Sequence, residues 1–152
     1  MARVLLVDDE DEVRAALKRR LDREGYEVNT AASAEEARRA LHGSAAYDIV
    51  VTDMSMEDSD SGLRVLEQAL TCDIFTEVIV LTAYGNVANA VESMRRGAFD
   101  YLEKNVPGVD AYEILTIKMA QAMERRRTAV NTVRRLEQQV RTLSHAGQPP
   151  NG

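Results

Sequence analysis

Cysteine is nearly missing from this chain of 152 residues: Cys72 stands alone, so no internal disulfide can form. A lone thiol points to a reducing, cytoplasmic setting, and Cys72, near the end of a helical pattern, reads as a small packing residue. Histidine is scarce too; His42 and His145 stand isolated, which leaves histidine chemistry without support. No apolar run approaches the roughly eighteen residues that a membrane span requires. Met1-Ala2-Arg3 leads into only four apolar residues before a run of acids, unlike a secretory leader. Aromatic residues make up 5% of the chain, and none is interleaved with Arg125-Arg126-Arg127. That cluster therefore reads as a solvated helix face and not as a nucleic-acid contact.

The apolar fraction of 45% and the charged fraction of 29% suit a soluble globular protein. The length allows one domain with a hydrophobic core, plus an appendage. The net charge of -6 is unevenly spread. From Lys118 onward seven basic residues stand against two acidic ones, giving +5 and leaving -11 on the remainder. An acidic body with a basic tail indicates two structural units.

Short apolar runs that end in polar residues alternate with helical patterns. Val4 to Val7 ends at Asp8-Asp9-Glu10, as expected of a strand buried on both faces. Val13, Ala16, Leu17 and Leu21 recur at helical spacing up to Gly25. Tyr26 to Asn29 alternates like an edge strand, and Ser33 with Glu36 forms a capping box for a second helix. Ile49 to Thr52 runs into Asp53, and a polar loop to Gly62 precedes a third helix. Val78 to Leu81 runs into Thr82 and precedes a helix carrying Val87, Val91 and Met94, stopped by Gly97. Phe99 to Leu102 reads as a fifth strand ending at Lys104, and Asp110 with Glu113 caps a last helix. Five strands alternating with five helices imply right-handed crossovers and a doubly wound parallel sheet.

Ligands bind outside the carboxyl ends of the strands in such a sheet. That rule gathers Asp8, Asp9, Asp53, Thr82 and Lys104 on one rim. Three carboxylates in one place call for a cation, and all-oxygen ligation points to Mg²⁺. A lysine and a hydroxyl opposite the metal would complete a cradle for a phosphoryl group, with a carboxylate as its acceptor.

With Asp8-Asp9, Asp53, Thr82-Ala83, Tyr101 and Lys104 in this order, the chain resembles the receiver domains of two-component response regulators over about residues 1 to 120. The stretches Thr82-Ala83-Tyr84-Gly85 and Ala98 to Leu102 are most similar to receivers of the NtrC class. The resemblance implies a flavodoxin-like, five-stranded parallel sheet in the order 2-1-3-4-5. It implies that Asp53 accepts a phosphoryl group from a histidine kinase or phosphotransfer protein. Asp9 would ligate Mg²⁺ directly and Asp8 more through water, with the Ser55 backbone carbonyl as a further ligand. Lys104 would pair with the phosphate. Thr82 would swing to bond it and let Tyr101 turn inward, reshaping the surface of the fourth helix, fifth strand and fifth helix. Ala83 leaves room for the phosphate, and Tyr84 is expected to shield it from water. Three departures stand out. Glu57 replaces a usual proline, and the loop Asp58 to Gly62 is one residue longer. Asn105 replaces the proline after the lysine, a position where a cis bond would cost a non-proline residue roughly 3 kcal/mol.

From Leu115 the apolar positions alternate four and three apart through Met119, Ala122, Arg126, Ala129, Val133, Leu136, Val140 and Leu143. Arg126 interrupts the pattern, whereas Val133 and Val140 with Leu136 and Leu143 match the preference of a parallel two-stranded coil. The expected division is a receiver over 1–117, a coiled-coil extension of the fifth helix over 118–143 pairing through 115–143, and a disordered tail over 144–152. Neither membrane nor direct nucleic-acid contact is expected. Two rival readings are a phosphorylation-independent pseudo-receiver that dimerises, and a phosphatase of the haloacid dehalogenase type. The second needs an Asp-x-Asp pair and a cap-sized insertion, and Asp8-Asp9-Glu10 lacks that spacing.

Overall fold

The computed structural model describes residues 1–147. Five strands, β1 (Arg3–Val7), β2 (Glu27–Ala31), β3 (Ile49–Thr52), β4 (Glu77–Thr82) and β5 (Asp100–Glu103), form one parallel sheet in the order β2-β1-β3-β4-β5. The helices are α1 (Asp11–Arg23), α2 (Ala34–Leu41), α3 (Ser61–Cys72), α4 (Val87–Arg95) and α5 (Ala111–Ala146). Alternate residues of each strand feed opposite layers of core, as the two-residue period requires. Val4, Leu6, Ile49, Val51, Ile79 and Leu81 meet Leu17 and Leu21 of α1 and Leu115, Met119 and Ala122 of α5. Leu5, Val7, Val50 and Val78 face Ala37 and Leu41 of α2 and Val65, Leu66 and Ala69 of α3.

The local signals act where the sequence places them. The Ser33 hydroxyl accepts the Glu36 N–H at 3.0 Å, and Asp110 caps α5 by accepting from Tyr112 and Glu113. Gly25 and Gly97, at φ 93° and 104°, follow α1 and α4 in the left-handed region that suits glycine.

Several features differ from the expectations or add to them. Cys72 is exposed rather than packed, lying 3.8 Å from the His42 ring. The apolar residues of α4 do not enter the core. Val87, Val91 and Met94 are exposed, and Ser93 is the buried residue of that helix. The pairing seam expected from residue 115 does not start there, because Leu115, Met119 and Ala122 are fully buried against the sheet. Arg125 forms a two-pronged ion pair with Glu77 at 2.9 and 2.6 Å, and its guanidinium lies over the Phe99 ring. Arg126 reaches Asp48 at 2.9 Å and Asp73 at 3.4 Å. The start of the expected pairing seam is thus used within the molecule, and no described residue of α5 beyond Ala122 is buried. Finally, α5 continues to Ala146, so residues 144–146 are helical where a disordered tail was expected. Residues 148–152 of that tail lie outside the described residues.

Candidate functional site

The site forms at the carboxyl rim because each strand ends there in a polar residue. The Asp53 N–H donates to the Val7 carbonyl at 2.8 Å and the Asp8 N–H to Ala31, so the two acids prolong neighbouring strands side by side. One carboxylate oxygen from each of Asp8, Asp9 and Asp53 lies within 4.8 Å of the others. Asp8 and Asp53 are buried, whereas Asp9 is exposed and its carboxylate has no hydrogen-bond partner among the described residues. Lys104, from the end of β5, lays its ammonium 2.5 Å from Asp8 Oδ2, with a side chain only 9% exposed. Thr82 is buried at the end of β4. All peptide bonds among the described residues are trans, including the one to Asn105, and Lys104 still reaches the acids.

Second-layer contacts hold these groups. Asp8 Oδ1 accepts the Glu10 N–H at 2.9 Å, and Arg14 donates to the Asp8 carbonyl at 2.8 Å. Asp53 Oδ1 accepts the Met54 N–H at 2.7 Å. Gly62 sits so close that a Cβ there would fall 2.5 Å from the Asp53 carbonyl oxygen. Sequence reasoning did not single out Arg14, Met54 or Gly62. Of these, Gly62 at the start of α3 left the clearest signal.

Burial raises the pKa of Asp53 above the ordinary carboxylate value. The Lys104 ammonium opposes this shift, the Asp8 carboxylate adds to it, and the Thr82 hydroxyl and Met54 N–H lower it without cancelling it. A buried, charge-crowded acid of this kind gains stability from any added cation. The donors are hard oxygens, which suits Mg²⁺, and the Ser55 carbonyl accepts no hydrogen bond within the described residues.

Tyr101 is half-buried against Met54, Leu63 and Val80, and its hydroxyl accepts weakly from the Asn86 N–H at 3.4 Å. Burial raises its pKa, Asn86 opposes, and Glu103 and Asp53 add to the rise. Tyr84 is 88% exposed, with Ala83 beside it on a cavity of about 450 Å³ that Lys104 and Asn105 also line.

Glu57 lies beyond the acids in the β3–α3 loop. Its carboxylate accepts the Ala34 N–H at 2.8 Å and the Glu35 N–H at 3.2 Å, at the start of α2. Partial burial raises its pKa, but these N–H groups, its own and the Arg64 charge outweigh that and lower it overall.

The acidic cluster and Lys104 thus stand together at the carboxyl rim of a doubly wound parallel sheet. The profile of the response regulator receiver domain matches residues 4–116, and the chain belongs to that family. Its relatives are regulators of the NtrC class. It is 40% identical to the regulatory protein AtoC of Escherichia coli K12 over 104 residues, 67% of this chain and 22% of that protein. It is 33% identical to the transcriptional regulatory protein GlrR of the same strain over 135 residues, 86% of this chain and 30% of that one. The chain therefore spans about a quarter of the length of these relatives. Among solved structures, a response regulator receiver domain protein from Clostridium thermocellum superposes with a TM-score of 0.75 at 33% identity, covering 85% of this chain and 99% of that one. TrrA from Thermotoga maritima, in complex with Mg²⁺-BeF, gives a TM-score of 0.66 at 33% identity over 80% of this chain and 99% of that one.

Proposed function

We propose that Asp53 accepts a phosphoryl group from the phosphohistidine of a histidine kinase or phosphotransfer protein. Asp8, Asp9, Asp53 and the Ser55 carbonyl would hold Mg²⁺. The observation that carries this reading is the approach of three carboxylates to within 4.8 Å with the Lys104 ammonium on Asp8. A TrrA complex with Mg²⁺-BeF on the same fold supports it.

In the transfer an Asp53 carboxylate oxygen attacks phosphorus, the donor N–P bond breaks, and its electron pair returns to the imidazole. Bound Mg²⁺ would supply charge neutralisation for the phosphoryl oxygens. Lys104, paired with Asp8 before transfer, would move its ammonium to the new phosphate. Thr82 would donate to that phosphate, and Tyr101 would follow inward from its place above Leu63 and Val80. The readout surface is then α4, β5 and α5, where Val87, Val91, Met94 and Ile117 are exposed. The chain acts as the acceptor of the group and not as an enzyme with turnover. A cytoplasmic setting fits its single exposed thiol and the lack of any described helix long and apolar enough to cross a membrane.

Lys104 reaches the acids across a trans bond to Asn105, which counts against a phosphorylation-independent pseudo-receiver. Pairing of two chains would use Val133, Leu136, Val140 and Leu143, the last three exposed. Transcriptional output would belong to segments of the kind that make the relatives longer.

The test is intact-mass analysis after incubation with Mg²⁺ and acetyl phosphate. One phosphoryl group should be added to the wild type and none to Asp53→Asn or to a sample held in EDTA. No addition to the wild type would end the reading. Tyr84 would have to turn in from solvent to shield the acyl phosphate. On that view Tyr84→Ala loses phosphate several-fold faster, and an unchanged half-life denies it the role.

A further inference from the structure

The loop between β3 and α3 carries both Asp53 and the Ser55 carbonyl, so its position sets the geometry of any bound cation. Most of its hydrogen bonds are internal or made to α3. Ser55 Oγ donates to the Ser59 carbonyl at 3.0 Å, the Ser61 hydroxyl joins both backbone groups of Asp58, and Arg64 pairs with Asp58 at 2.7 Å. Among the described residues, one side chain of segment 55–60 hydrogen-bonds to an element other than α3. That residue is Glu57, which reaches across 23 positions to the Ala34 N–H and also takes the Glu35 N–H.

These N–H groups belong to the free first turn of α2, where a carboxylate is favoured by both unsatisfied donors and the helix dipole. The helix already has a cap of its own, because Ser33 takes the Glu36 N–H and the Glu36 carboxylate takes the Ala32 N–H at 2.6 Å. Glu57 therefore adds a fork that ties the loop to α2.

We propose that Glu57 is a positioning residue for the divalent-cation site, holding the Ser55 carbonyl and the Asp53 carboxylate in register by anchoring their loop on α2. The proposal rests on the metal-binding reading given above. Residues that orient metal ligands commonly change affinity 10- to 100-fold when removed. A simple cap on α2 would change stability and leave metal affinity alone, so the two roles separate.

The experiment is a Mg²⁺ titration by calorimetry or by amide chemical shifts, alongside metal-free melting curves, for four proteins. They are the wild type, Glu57→Ala, Glu57→Gln and Ser33→Ala. Glu57→Ala should bind Mg²⁺ about tenfold more weakly. Glu57→Gln, which keeps an acceptor oxygen without the charge, should stay within about threefold of the wild type. Ser33→Ala should melt earlier, because it loses the helix cap, yet bind Mg²⁺ as the wild type does. Equal affinity in wild type and Glu57→Ala overturns the proposal. A Gln variant as weak as Ala assigns the effect to charge and overturns it too. Weakened binding in Ser33→Ala assigns the effect to a loosened α2 and likewise overturns the positioning role. A wild type that binds no Mg²⁺ removes the metal-binding reading itself, and the proposal with it.

Discussion

Asp53 is held at a cost to the folded state, and that cost is measurable. Its folded pKa lies above the ordinary value of 3.8 because burial disfavours the anion. A carboxyl with a raised folded pKa contributes its stability at low pH, where it is neutral in both states, and loses it as pH rises through the folded value. Without metal, Asp53→Asn should therefore melt above the wild type at neutral pH. The gap should shrink as pH falls toward 3.8, and paired melting curves across that range would test it. The acids, Thr82 and Lys104 were legible because a parallel sheet brings strand ends to one rim whatever the loops do. Glu57 was legible only as a departure from pattern. Its partners, Ala34 and Glu35, are backbone donors, and backbone donors leave no mark in a sequence.

At the scale of elements, α5 serves two structures in turn. Its 36 residues span about 54 Å. Leu115, Met119 and Ala122 complete the core, Arg125 and Arg126 fasten the helix to the acidic edge of the sheet, and the remainder carries Leu136, Val140 and Leu143 in solvent. Heptad spacing marks a continuous apolar stripe but cannot say whether the stripe meets the chain's own sheet or another helix. Arg126 therefore reads as a flaw in a seam, although it faces Asp48 and Asp73. Arg126→Leu, which repairs the heptad on paper, should leave those acids short of a partner and cost about 1–3 kcal/mol. Sedimentation equilibrium of this variant should give a dimer affinity unchanged from the wild type, whereas a tighter dimer would return Arg126 to the seam. The exposed stripe on α4 has a similar origin, since Val87, Val91 and Met94 share a face that the local pattern cannot assign to core or solvent.

For the whole molecule, cation binding and folding are linked, because the acidic cluster exists only when β1 and β3 lie side by side. A ligand at a hundred times its Kd stabilises the native state by about 2.7 kcal/mol. For a protein of this length that is a Tm increase of about 5–10 °C. Melting curves with and without saturating Mg²⁺ should show such an increase for the wild type and little of it for Asp53→Asn. A wild-type Tm that saturating Mg²⁺ leaves unmoved would argue against the site as a cation receptor.

The order of strands and helices, the doubly wound class and the rim of acids with Thr82 and Lys104 were set by the sequence alone. Short buried runs, helix caps and strand-end polar residues are local features, and right-handed crossovers leave few ways to connect them. Tertiary structure decided which apolar faces stay dry, how far α5 packs on the sheet, and which backbone groups Glu57 engages. Those outcomes depend on distances between residues far apart in the chain, such as Glu77 with Arg125 and Glu57 with Ala34, which come into contact only when the whole sheet and its helices have assembled.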